Sequence, residues 1–179
     1  MNWRSALAAL AIVGAMTAAP VTSQASPIAV DAGWYGFCFG GAGSPATSGC
    51  QNSGVGVTGN STTFNALAPV LFQITDAFNY GDTFDVWVDG VFAFTTNAVA
   101  SALGGVSDPD AAFADPLYSH GSILLAAGLH SIDVFANASP FGGGGAYLQV
   151  ISAVPEPATL ALLGIALAGL AVRRRSRNA

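Results

Sequence analysis

The sequence predicts an all-β fold: a single jelly-roll-like β-sandwich over residues 26–153, set between an N-terminal signal peptide and a C-terminal transmembrane helix. Three observations predict it. Short runs of alternating apolar and polar residues are separated by Gly, Asn, Asp and Pro. An Asp-Gly dipeptide stands between two runs rich in β-formers. The long apolar stretches fall at the two ends of the 179-residue chain, leaving about 128 residues between them, enough for one compact domain.

Residues 1–25 have the layout of a secretory signal peptide. Arg4 supplies the positive charge, Ala6 to Ala19 the apolar region, and Pro20 the break. Ser23-Gln24-Ala25 meets the small-x-small rule for cleavage, with Ser26 as the new N-terminus. The competing reading is an uncleaved N-terminal anchor.

The clearest element of the middle is a hairpin. Thr83 to Val88 and Val91 to Thr95 flank Asp89-Gly90, a pair suited to a two-residue turn. Period-2 alternation puts Phe84, Val86 and Val88 on the core face and Asp85, Trp87 and Asp89 on the other. Further strands are expected at Pro69 to Thr75, His120 to Leu125, Leu129 to Phe135 and Ala146 to Ser152. In the third of these, Leu129, Ile132 and Val134 are read as core, with Ser131 and Asp133 outward. The segment from Gly40 to Asn60 reads as loop or sheet edge. Ala98 to Ala114 reads as a short helix or a long loop, and Gly142 to Gly145 as a flexible loop. Short strands punctuated by turn residues favour a jelly-roll-like sandwich.

Charge is distributed unevenly. The five basic residues are Arg4, Arg173, Arg174, Arg175 and Arg177, all near the ends. Of the ten acidic residues one is Glu156, so the other nine are Asp of the middle domain, which carries about −9. Such a field repels nucleic acid and anionic polysaccharide, and attracts divalent cations. Nucleic acid is therefore excluded as a partner. Cys38 and Cys50 are the only cysteines, and an even count in an exported domain predicts one disulfide, contributing roughly 3 kcal/mol.

Ala158 to Val172 is an uncharged apolar segment. As a helix it covers about 22 Å, against the roughly 30 Å hydrocarbon core, and the flanking residues and snorkelling arginines make up most of the difference. Pro157 suits a first helical turn and Glu156 the positive helix pole. Arg173, Arg174, Arg175 and Arg177 keep the far end in the cytoplasm, which places residues 26–153 outside it.

Residues 154–179 as a whole resemble the PEP-CTERM sorting signal of Gram-negative bacteria. The motif Val154-Pro155-Glu156-Pro157, a short apolar helix and a terminal Arg cluster occur in that order. The resemblance implies that the tail is read by an exosortase, a membrane cysteine protease that cuts near Pro155-Glu156-Pro157. It implies a single-pass precursor in the inner membrane, followed by transfer to the cell surface or the exopolysaccharide matrix. It says nothing about residues 26–153.

Within the middle domain two groups invite a chemical role. Asp108, Asp110 and Asp115 form an acidic loop suited to Ca²⁺, although Asp also serves turns through its own hydrogen bonds. Asp82, Asp85 and Asp89 form a second acidic set. Trp87, predicted outward between two Asp, is the candidate for stacking on a sugar ring; Trp34 and Tyr35 raise the same question. Catalysis is not expected. Ser119, His120, Ser122 and His130 lack a nucleophile-elbow or zinc-protease motif around them, and the domain has no Glu. The expectation is a non-enzymatic surface or matrix protein without a resident cofactor, structural or adhesive in exopolysaccharide. The alternative is a carbohydrate- or calcium-binding module anchored at the membrane.

Overall fold

The computed structural model describes residues 26–48 and 61–153. The expected signal peptide, Cys50, the span 158–172 and the sorting segment with its Arg cluster lie outside the described residues. Among the described residues no helix is long and apolar enough to cross a membrane.

The expected hairpin forms with its predicted bounds, as β5 (Thr83–Val88) and β6 (Val91–Thr95). Asp89 and Gly90 take φ of 52° and 77°, so both central residues are left-handed and match the twist of the flanking strands. Phe84 and Val86 are fully buried, while Trp87 remains 37% exposed. The register slips between Val86 and Trp87, where Ala93 is the extra residue of β6.

The other described strands are β1 (Ser26–Pro27), β2 (Tyr35–Phe39), β3 (Ser61–Ala66), β4 (Val70–Asp76), β7 (His120–Leu125), β8 (Gly128–Ala138) and β9 (Gly144–Ser152). They form two sheets, ordered β1-β3-β8-β5-β6 and β2-β9-β4-β7. Every pairing is antiparallel except β1 with β3. The pairings are nested: β5 with β6, β4 with β7, β3 with β8 and β2 with β9. The chain thus doubles back on itself like one long hairpin whose arms alternate between the sheets.

One core joins the two sheets. Phe37 and Phe39 of β2, Phe72 and Ile74 of β4, and Leu148 and Val150 of β9 share it with Phe64, Phe84, Val86, Ile132 and Val134 from the other sheet. The Phe84 ring meets Phe39 at 4.9 Å and Phe37 at 5.5 Å, both edge-on, the geometry that aromatic quadrupoles favour. A smaller cluster of Ala77, Ala112, Tyr118 and Tyr147 forms where α1 (Pro109–Ala114) covers the other face of the β4–β9 sheet.

Several expectations are corrected. Leu129 is 75% exposed, because strict alternation from Ile132 puts His130, not Leu129, on the buried face. Gly144 and Gly145 belong to β9, paired with Phe39 and Cys38, so the glycine run is half strand. Gly143 brings its backbone so close to Phe39 that a Cβ would sit 2.7 Å from that carbonyl oxygen. Within the segment read as loop or edge, Gly43 to Ala46 takes the edge alternative: Gly43 and Ala46 donate to the carbonyls of Ala136 and Val134, extending the sheet along β8. Strands β1, β2 and β3 are not among those expected from the sequence.

Candidate functional site

The acidic loop is committed to local structure. Asp108 caps α1, its Oδ1 accepting the N–H groups of Asp110 (2.9 Å) and Ala111 (3.1 Å), with Pro109 in the first turn. Asp110 accepts the indole N–H of Trp34 at 2.8 Å, and Asp115 accepts the N–H of Leu117 at 2.9 Å. Among the described residues no group of three or more His, Cys, Asp or Glu is arranged to hold a metal. Trp34 lies under α1 with its ring 5.6 Å from Phe113, and the Tyr35 hydroxyl accepts the N–H of Ala29. Neither aromatic is free for a ligand.

Ser119, His120 and His130 are each engaged with partners of their own. Ser119 is buried and shares a 2.9 Å hydrogen bond with Thr96, and His120 bonds the Tyr118 carbonyl. His130 contacts the Asp89 carboxylate through Nδ1 at 2.8 Å and the Ala126 carbonyl through Nε2 at 3.0 Å. Both partners are acceptors, so protonation of the ring lets both nitrogens donate. Burial opposes its charge, but the bonds to Asp89 and Ala126 outweigh burial and raise its pKa. The N–H of Ser131 and this histidine together hold Asp89 below the usual carboxylate range. The turn of the β5–β6 hairpin is in this way tied to β8.

Trp87 stands on the outer face of the β5–β8 sheet. Its register partners are Phe92 on β6 and Asp133 on β8, and its ring meets Phe92 edge-on at 5.6 Å. Asp85 shares the face, lies opposite Phe135 and accepts the Thr95 hydroxyl at 2.5 Å. Gly43, Asp85, Trp87, Phe135, Ala136 and Asn137 line an open groove. Its chemistry is aromatic surface rimmed by hydrogen-bonding groups.

Asp82, read from the sequence as one set with Asp85 and Asp89, is instead coupled to Asp76, which sequence reasoning missed. Asp76 ends β4 on the face of Phe72 and Ile74, and Asp82 precedes β5 in phase with Phe84. Both carboxylates therefore face inward at one end of the sandwich, at the two ends of the β4–β5 connection. Asp76 is 0% exposed and Asp82 2%. Asp76 Oδ1 accepts the N–H of Ala77 at 2.8 Å, whereas Asp76 Oδ2 and Asp82 Oδ1 have no hydrogen-bond partner. Burial first, and then the charge of Asp82, pushes Asp76 up to about 8, with nearby amides pulling the other way. Burial likewise raises Asp82, with the Ser139 side chain pulling the other way. The signal was present in the sequence: each Asp continues an apolar period-2 face.

The chain enters the sorting segment straight from the fold. Asp31 accepts from both the N–H (2.7 Å) and the hydroxyl (2.6 Å) of Ser152 at the end of β9, and Ala153 donates to the Pro69 carbonyl at 3.0 Å. Residues 153–175 match the PEP-CTERM protein-sorting motif. The motif implies export, a membrane-anchored precursor and an exosortase as the processing partner. No curated protein matches the chain. Among solved structures, the pre-peptidase C-terminal domain of a collagenase from Bacillus anthracis is similar at a TM-score of 0.39 and 12% identity, covering 72% of this chain and 95% of that one.

Proposed function

We propose that the chain is a non-enzymatic surface or extracellular-matrix protein, delivered by exosortase processing at Pro155-Glu156-Pro157 and structural or adhesive in exopolysaccharide. The observation that carries this reading is the sorting motif at residues 153–175, which begins where β9 ends. The nested pairings support a jelly-roll winding of the exported domain. Because Cys38 is not free, a Cys38–Cys50 disulfide closing the loop beyond β2 belongs to the same proposal. The separate commitments of Ser119, His120 and His130 support a role without catalysis. Replacing Pro155, Glu156 and Pro157 by Ala tests the sorting step. The variant is expected to stay in the membrane fraction as unprocessed precursor; release at the wild-type level would refute it.

The groove beside Trp87 favours a more specific reading, adhesion through carbohydrate. A flat indole stacks on the apolar face of a pyranose, and Asp85 and Asn137 offer partners for its hydroxyls. Co-sedimentation of the exported protein with the host's insoluble exopolysaccharide tests it, with Trp87→Ala as the comparison. Equal sedimentation of the two proteins would sink this reading and leave the sorting proposal standing.

A further inference from the structure

We infer that Asp76 and Asp82 seat a divalent, oxygen-preferring cation, calcium in an extracellular setting, that ties the two sheets together at one end of the sandwich. Two buried carboxylates present oxygens without hydrogen-bond partners, Asp76 Oδ2 and Asp82 Oδ1. Buried polar atoms in native folds are almost always satisfied, and an orphaned pair of this kind points to an ion. The middle domain, residues 26–153, has no Lys or Arg to offer, and its two histidines are engaged by Asp89 and by the Tyr118 carbonyl. A single proton shared by the pair neutralises one charge and leaves the other, whereas a divalent ion neutralises both.

The donor chemistry selects the ion. Two carboxylates from loop ends, supplemented by backbone carbonyls and water, suit the six to eight oxygens and loose geometry of Ca²⁺. Zinc prefers nitrogen and sulfur. Position adds a consequence for the fold: Asp76 belongs to the β4–β9 sheet and Asp82 leads into the β5–β8 sheet. An ion between them closes the sandwich end where the chain crosses from one sheet to the other.

Calcium chloride added to the chelator-treated exported protein at constant neutral pH tests the inference. Titration calorimetry is expected to show calcium bound at Asp76 and Asp82, one per chain. The melting temperature is expected to rise by roughly 8–14 °C when calcium is 100-fold above its dissociation constant. Asp82→Asn removes the rise, and Asp76→Asn supplies the same comparison should that variant fail to fold. The triple variant Asp108→Asn, Asp110→Asn, Asp115→Asn keeps it. Absence of binding in the wild-type protein overturns the inference and leaves protonation to neutralise the pair. Loss of binding in the triple variant, with retention in Asp82→Asn, also overturns it by moving the ion to the α1 loop.

Discussion

Phe84→Ala probes the joint between the sheets. Phe84 is fully buried and its ring reaches across to Phe37 and Phe39 on β2. Removing it loses the transfer free energy of a phenyl group, leaves a cavity in a close-packed core, and breaks two edge-on ring contacts. Together these predict a loss of roughly 4 kcal/mol. In a domain of this size that lowers the melting temperature by roughly 12–20 °C. Phe92→Ala is the comparison, since Phe92 is 48% exposed on the outer face of the same hairpin, and it is expected to cost about 1 kcal/mol. Equilibrium urea unfolding of both variants, followed by tryptophan fluorescence, measures the difference. A Phe84→Ala loss below about 1 kcal/mol, or equal losses in the two variants, would refute a shared core at this position.

Other consequences are equally specific. A Cβ at Gly105 would lie 1.8 Å from the Phe78 carbonyl oxygen and 1.9 Å from the Tyr118 hydroxyl, so Gly105→Ala is expected to destabilise severely. Gly41→Ala, with nothing within 4 Å, should be near neutral by thermal melting. For the His130–Asp89 pair, the histidine contribution is complete below its unfolded pKa of 6.5 and is lost as pH rises through its raised folded value. The Asp89 contribution is complete above 3.8 and is lost as pH falls through its lowered value. The tie is therefore strongest between the two unfolded values, and Asp89→Asn should lower the His130 pKa measured by NMR titration. Trp87→Ala should change stability by only about 1 kcal/mol while reducing sedimentation with exopolysaccharide.

Legibility in the sequence followed the strength of local signals. The β5–β6 hairpin was readable to the residue because Asp89-Gly90 fixes the turn and Phe84, Val86 and Val88 fix the phase. Strand β2 was not, because Phe37, Cys38 and Phe39 give no alternation between two covered surfaces. Strand β3 was missed for the opposite reason: Ser61-Thr62-Thr63 is polar, and its place comes from pairing with β8. Leu129 misled because a leucine attracts a core reading wherever it stands, although its phase with Ser131 and Asp133 is the outward one. The Asp76–Asp82 pair needed three dimensions. Each Asp visibly continues an apolar face, but only the crossing of β4 and β5 between sheets sets the two faces against each other. The sorting motif was fully legible, since its parts are contiguous in sequence and owe nothing to tertiary packing.

The intact mass of the protein recovered from the extracellular fraction of its native host tests the central claim most directly. A mass corresponding to a chain that begins at Ser26 and ends near Pro157, with or without a linked group, is the predicted result. A mass that retains Ala158 to Ala179 would mean that the tail serves as a plain membrane anchor, and would contradict exosortase processing.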